Sequence, residues 1–373
     1  MSEIRVTNVT GENGNSPVNF TKGINMSGIV TATAFIPSQG QLSHRNIIIN
    51  GAMNVAQRAS SSTANGYGDL DRWKHEYVGT NENPTFAQAS LTTSDTPYTL
   101  GLTKTYKLTN GNQTSGLQAS SQINFNQQIE AQDIRNSGWN YKSSSSYITL
   151  SFWVRSSVSQ NFNGFVKTVD GSMYIYPYET GTLSANTWTK ITKSIPGNSN
   201  LQIDDDNGSG FQVFPIAIYG TNMTNNSVTY NQWAGWSSGG RSKDQANSWF
   251  TTNDATLEIT GVQLEAGDTA TSFEHRSFGD ELLRCQRYYH CVYRRGASSD
   301  GNLSIGGVGS LYTSTQVYID LSTESSSPIV RDSWDLAFYG GDEFRVGING
   351  SIYMAAGSTG LYNIDLIIIW RNF

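Results

Sequence analysis

Charged side chains are scarce in this sequence. Only 14% of the 373 residues are Asp, Glu, Lys or Arg, and the formal net charge is −6. A nucleic-acid-binding surface needs a basic stripe to neutralise phosphates, so no nucleic-acid partner is expected. Long apolar runs are also missing. The longest candidate, Leu366 to Trp370, has strand length, against the roughly 20 residues of a membrane span, so no membrane insertion is expected. Met1 to Gly11 lacks a basic segment followed by an apolar stretch, and no secretory signal is visible there. Cysteine is limited to Cys285 and Cys291, six apart. A disulfide framework needs more cysteines and wider loops, which points to synthesis in a reducing cytoplasm. The four histidines, His44, His75, His275 and His290, stand away from other ligands at metal spacing, and Cys285-x5-Cys291 lacks a second pair. Zinc is therefore not expected.

What is present is Gly (37), Tyr (19), Phe (15) and Trp (9), set among Ser, Thr and Asn. Asn-x-Ser/Thr sequons, such as those at Asn8, Asn112 and Asn302, follow from that composition. It is the usage of short strands joined by tight turns, and also of binding surfaces built from rigid aromatics and small polar groups.

Four regions separate along the chain. Residues 1–42 contain β-prone runs such as Val18 to Ile24 and Ile29 to Phe35, broken by glycine, with too little apolar surface to form a core. They are expected to be completed by trimerisation or by docking on another protein. Residues 43–275 read as one β-sandwich. Its clearest strand, Tyr147 to Arg155, puts Ile148, Leu150, Phe152 and Val154 on one face and Thr149, Ser151 and Arg155 on the other. Within Thr256 to Ala266, Leu257 and Ile259 alternate, then Val262 and Leu264 alternate in opposite phase; a β-bulge at Thr260-Gly261 lets both pairs face the core. Pro196-Gly197 and Asn207-Gly208 are expected turns.

Gln127 to Ile134 reads as a short connecting helix. Residues 276–295 read as a helical linker, with Ser277 as cap and Asp280 and Glu281 at the positive end. Arg284, Arg287, Arg294 and Arg295 make it the one basic stretch, read as a solvated face or a contact with an acidic neighbouring subunit. Residues 296–373 return to strand patterning as a smaller C-terminal β domain, with Asn349-Gly350 as a hairpin turn and an apolar end, Leu361 to Phe373, that needs pairing.

Signals for chemistry are few. Gly235-Trp-Ser237-Ser-Gly239 matches the nucleophile-elbow pattern, yet it lies in a Gly/Ser-rich stretch with no helical periodicity after it. No catalytic residue and no cofactor is assigned, and the chain is read as a non-enzyme. Asp204-Asp-Asp-Asn-Gly-Ser-Gly210 imitates the start of a calcium loop, with Asp205 and Asn207 as candidate ligands of a structural Ca²⁺, but position twelve is Ile216 rather than a bidentate glutamate. The favoured reading is a solvated turn. Candidate glycan contacts are Tyr174, Tyr176 and Tyr178, which share one side of a strand, and Trp233, Trp236 and Trp249 in a loop-rich stretch. The competing reading of the tyrosines is a packed sheet face or a trimer contact.

Three stretches carry a resemblance: Val6 to Gly14 with Gly28 to Thr33; Asn50-Gly-Ala-Met-Asn-Val-Ala-Gln-Arg58 leading to Asp71-Arg72-Trp73; and Ile259 to Arg276 followed by Glu281 to Tyr289. In these the chain resembles tail-fibre-like structural proteins of marine tailed phages, cyanophage type. The resemblance implies a jelly-roll sandwich similar to carbohydrate-binding modules, a virion location and trimeric assembly. The resulting expectation is a tail fibre or spike subunit, attached to other phage tail or capsid proteins through residues 1–42, that meets a glycan or protein of the host surface. A capsid-decorating fibre or tail collar protein is the alternative, and a polysaccharide depolymerase is a third reading.

Overall fold

The computed structural model describes residues 43–289 and, separately, the backbone of two short strands near the C-terminus. Expectations for residues 1–42, for Cys291, Arg294 and Arg295, and for most of 296–373 lie outside the described residues. In chain order the strands are β1 (Ser61–Ser62), β2 (Lys74–Val78), β3 (Thr85–Ser90), β4 (Lys104–Thr109), β5 (Gln122–Glu130), β6 (Tyr147–Ser156) and β7 (Gln160–Thr168). They continue with β8 (Tyr174–Leu183), β9 (Thr189–Pro196), β10 (Ser209–Tyr219), β11 (Ala234–Gly235), β12 (Thr256–Ala266), β13 (Phe344–Val346) and β14 (Ile352–Met354). Helices α1 (Thr96–Thr99), α2 (Ala131–Arg135) and α3 (Ser248–Thr251) are about one turn long, and α4 spans Phe278–Gln286.

Two six-stranded antiparallel sheets form the expected β-sandwich. The first has the order β1-β3-β4-β12-β6-β9 and the second β11-β8-β7-β10-β5-β2. The chain crosses between them repeatedly, so that β5, β7 and β10 lie in one layer while β6 and β12 lie in the other, a jelly-roll-like winding. Alternation explains the core. Ile148, Leu150, Phe152 and Val154 of β6 all turn inward, against Ile123 and Phe125 of β5 and Phe211 and Val213 of β10. The register of β12 on β6 shifts between Thr260 and Gln263, and Gly261 there takes φ +61. Leu257, Ile259, Val262 and Leu264 consequently all lie in the core.

One local expectation is revised. Gln127 to Glu130 belongs to β5, and only Ala131–Arg135 is helical. Glutamine and glutamate favour helices, but the preference is small per residue, and pairing of Gln127 to Glu130 with β10 outweighs it. At Asn50-Gly51 the chain turns tightly, the Met53 amide donating to the Asn50 carbonyl at 3.1 Å. Asn50 has φ 58, and Gly51 packs so close to Val262 that a Cβ would stand 2.1 Å from its carbonyl oxygen. Far along the chain, β13 and β14 pair antiparallel on either side of Asn349-Gly350, with Val346 opposite Ile352.

On the outer side of the first sheet, Asp95 ties a loop to two strands. Its carboxylate accepts from the Thr92 amide at 2.7 Å, the Trp188 indole at 2.8 Å and the Arg155 guanidinium at 2.6 Å. Burial raises its pKa, but these donors outweigh burial and hold it below the ordinary 3.8. A depressed acid stabilises the fold above its unfolded pKa and loses that contribution as pH falls through the folded value. Asp95→Asn is therefore expected to cost about 1–3 kcal/mol at pH 7, with the gap between thermal melts of the two proteins narrowing only as pH falls below the ordinary 3.8.

Candidate functional site

The outer face of the second sheet divides into a roofed half and an open half. Near β8 and β7, outward-facing Phe165, Ile175, Phe214, Ala217 and Tyr219 form their own apolar cluster, joined by Met223 and Trp236 from the segment that follows β10. Phe165 and Phe214 stack with centroids 4.2 Å apart. Toward β10, β5 and β2 the face opens into a groove. It is lined by Lys74, Glu76, Asn126, Gln128, Lys167, Gln212 and Arg241, with Phe165, Phe214, Tyr219 and Trp236 along one wall.

Strand alternation builds this lining. Ile123, Phe125 and Ile129 of β5 enter the core, which turns Asn126 and Gln128 outward. Phe211 and Val213 do the same for Gln212 on β10, and Val166 for Lys167 on β7. Lys74 and Glu76 flank the inward-facing His75 on β2 and pair with each other at 2.6 Å. Lys167 Nζ stands 4.3 Å from the Trp236 ring centre, and the Arg241 guanidinium lies 5.0 Å from that of Tyr219 and 5.3 Å from that of Trp236. Burial, then the neighbouring Arg241 charge, lowers the pKa of Lys167. Burial pushes the Tyr219 phenol up to about 12, against the opposing pull of Arg241. Rigid aromatic edges beside amides and charges that can bond hydroxyls make a surface for a polar, ring-shaped ligand.

Of the six candidate glycan contacts, one lies in this groove. Trp236 is half-buried and forms its wall. Tyr174, Tyr176 and Tyr178 do share one side of β8, but that side faces the core. Tyr178 is fully buried, with its hydroxyl donating toward the Phe214 and Pro215 carbonyls. Tyr176 is buried as well, and burial raises its pKa to about 12. Trp249 is fully buried and donates to the Thr256 carbonyl at 3.1 Å. Trp233 packs edge-on to Tyr176 at 5.4 Å and donates to the Pro196 carbonyl at 2.6 Å. Tyr176, Tyr178 and Trp249 are thus core residues, because burying a large aromatic outweighs exposing it. The groove residues that sequence reading missed carried one signal, the polar-apolar alternation of Gln122-Ile-Asn-Phe-Asn126.

Other candidates resolve structurally. Asp205 and Asn207 sit in a turn in which Asp206 accepts from the Gly208 amide at 2.9 Å and Asp170 from the Asp204 amide at 2.8 Å. Among the described residues no group of three or more His, Cys, Asp or Glu converges to hold a metal ion. Ser237 lies in a tight turn closed by the Gly240 amide; the buried strand and following helix of a nucleophile elbow are not its neighbours. Asp69, His75 and Tyr106 do form a hydrogen-bonded trio, with His75 Nδ1 2.9 Å from the Tyr106 hydroxyl, which donates to Asp69 at 3.2 Å. All three are buried, and His75 stacks on Phe86 at 4.0 Å. Their role is to satisfy one another inside the core.

The second and third resemblance stretches converge on one structural feature, the seat of α4. Ser277 caps the helix by accepting from the Asp280 amide at 3.2 Å. Arg276 donates to the Asn46 and Ile48 carbonyls and pairs with Glu281 at 3.4 Å, while Glu281 accepts from the Asn50 amide. Arg287 meets the buried carboxylate of Glu130 at 2.9 Å, and the Arg72 guanidinium lies 3.4 Å from the centre of the Tyr288 ring. Arg284 pairs with Asp280 and reaches His44. Arg276, Arg284 and Arg287 thus serve contacts within the chain, and α4 is docked on the residues around Ile49 and Val55. Cys285 and Tyr288 pack on Ile49 and Val55. Among the described residues no helix is long and apolar enough to cross a membrane.

The chain shows similarity to known proteins of two kinds. The model of the HmuY protein family matches residues 312–368. A structure of the CBM22-1 xylan-binding domain from Paenibacillus barcinonensis Xyn10C aligns at 8% identity and TM-score 0.27, covering 58% of this chain and 97% of that one. The tripod (BppUct-A-L) from the baseplate of bacteriophage Tuc2009 aligns at 13% identity and TM-score 0.25, covering 63% and 59%. A CBM4 structure aligns at 11% identity and TM-score 0.30, covering 58% and 98%. No curated protein matches the chain.

Proposed function

We propose that this chain is a structural subunit of a bacteriophage particle, a tail fibre or spike protein that binds a host-surface glycan through the groove on its second sheet. One observation carries the glycan reading: half-buried Trp236 stands over a sheet groove that presents Gln128 and Gln212, with Tyr219 and Asn126 buried in its lining. A sugar ring presents an apolar face to an aromatic and its hydroxyls to amides. A site on strands keeps those groups in register without ordering a loop on binding. The virion assignment is supported by the resemblance of residues 50–58, 71–73, 259–276 and 281–289, whose charges and aromatics form the seat of α4. Residues 1–42 are proposed as the anchor to other tail or capsid proteins, and a homotrimer as the working assembly, where three weak sites on one particle gain by avidity.

Full-length protein titrated with host lipopolysaccharide or capsular polysaccharide is expected to bind, and Trp236→Ala to weaken binding about tenfold or more without changing the melting temperature by more than a few degrees. Unchanged binding in Trp236→Ala would move the site elsewhere. No oligosaccharide is expected to be released during the incubation; turnover abolished by a single carboxylate substitution would make the chain a depolymerase. A second reading, contact with virion proteins only, draws on Phe278 and Leu283 of α4, which are 59% and 64% exposed. It predicts capture by purified particle proteins and no saccharide binding.

A further inference from the structure

The chain as a whole is acidic, at −6, yet its groove is not. Three cations, Lys74, Lys167 and Arg241, face it against one carboxylate, Glu76. Lys74 and Glu76 answer each other at 2.6 Å. That leaves Lys167 and Arg241, and among the described residues neither has a carboxylate within ion-pair distance. Arg241 donates instead to the neutral Gln122 side chain at 3.5 Å, and both cations rest against aromatic rings. Two like charges are thus held partly out of water, side by side and facing one rim of the groove. The low-dielectric wall of Phe165, Phe214 and Trp236 keeps the field of the pair directed into the open space. The pKa of Lys167 is lowered by burial and by Arg241 against the weaker opposing pull of Glu76; a bound anion adds to that pull and offsets the repulsion between the two cations.

We infer that the groove takes an acidic saccharide, whose carboxylate or sulfate sits between Lys167 and Arg241 while its ring lies along Trp236 and its hydroxyls meet Asn126, Gln128 and Gln212. This rests on the glycan reading above and narrows it from saccharides in general to anionic ones. A neutral sugar leaves the two cations partly desolvated, with only the distant pull of Glu76, already paired to Lys74, on Lys167. An anion forms charge-assisted hydrogen bonds with both, bidentate in the case of the guanidinium. The aromatic wall then serves as a spacer that keeps water from screening the pair.

The test uses the full chain and three soluble probes of matched length: an oligogalacturonate, the same oligosaccharide with its carboxyl groups methyl-esterified, and a sulfated galactan oligosaccharide. Calorimetric titration at about 0.15 M salt is expected to give at least about tenfold tighter binding for a charged probe than for the ester, with the preference shrinking as salt rises. The free-acid and sulfate arms identify which anion is preferred. Lys167→Gln with Arg241→Gln is expected to erase the preference and bring the charged probe to the level of the ester. Lys107→Gln, on the first sheet, is expected to leave it intact. Equal binding of acid and ester by the unaltered protein overturns this inference, and does so without any variant. If that equal binding still depends on Trp236, the glycan reading stands while its acidic refinement falls; if no saccharide binds at all, both fall.

Discussion

Replacing Asn50 by alanine is expected to lower the stability of the sandwich by about 3–5 kcal/mol, a fall of roughly 10 °C or more in melting temperature for a span of this size. Few side chains in the molecule have as many buried duties. The Asn50 amide group donates to the carbonyls of Val55 and Asp71 at 2.8 and 2.9 Å, and its oxygen accepts from the Val55 amide at 2.9 Å. Its own carbonyl receives the Trp73 indole at 3.1 Å, and its amide donates to Glu281. Alanine removes three buried hydrogen bonds and strands the Val55 amide, while the Val55 carbonyl keeps only the longer bond from the Asp71 amide at 3.2 Å. The backbone adds to this, since φ 58 is a left-handed conformation that Asn tolerates better than Ala. Asn50→Gly separates the two effects. It relieves the backbone but restores no hydrogen bond, so it should recover only about 1 kcal/mol. An Asn50→Ala protein melting within about 2 °C of the parent would show that the hydrogen bonds drawn to this side chain contribute little.

Ending the chain before α4 is the second large effect. A chain of residues 43–275 is expected not to unfold cooperatively, whereas residues 43–290 should. Without α4, Cys285 and Tyr288 no longer cover Ile49 and Val55, at about 1.5–3 kcal/mol for each large side chain left uncovered. Glu130, whose side chain is fully buried, loses Arg287. Stranding a buried charge costs about 3–5 kcal/mol on its own, somewhat less here because Arg287 is itself part-exposed. The carbonyls of Asn46 and Ile48 lose Arg276 as well. Together these approach the whole stability of an ordinary domain, roughly 5–15 kcal/mol. Denaturant melts of the two fragments decide the matter: coincident midpoints would mean that α4 is dispensable. Arg287→Met, which keeps the apolar stem and removes the charge, isolates the Glu130 contribution.

The architecture was legible where period and burial agree. Tyr147 to Arg155 and Thr256 to Ala266 announce their inner faces because every second residue is apolar, and the phase slip at Gly261 marks the bulge. The Ser277 cap was equally plain. Where the two signals part, reading fails for identifiable reasons. On β8, alternation says that Tyr174, Tyr176 and Tyr178 share a side, but not which side is in; outward Ile175 packs under a roof of its own, so both sides look apolar. On β5, Gln127 to Glu130 has helical composition, and only pairing with distant β10 makes it strand. The groove was least legible of all. Lys167 and Arg241 stand far apart in sequence and meet only because the segment after β10 folds back across β7, a long-range event that no local pattern encodes.

The seating of α4 also has a mechanical meaning. His44, at the start of the described span, touches Arg284, and Tyr289, at its end, bonds through its carbonyl to Gln57. Residues 284 and 289 are only about 8 Å apart along a helical path. Tension applied through the flanking polypeptide is therefore expected to load this corner first, where Arg276, Glu281 and Asn50 tie α4 to residues 46–50 and Arg287 passes the strain to the end of β5.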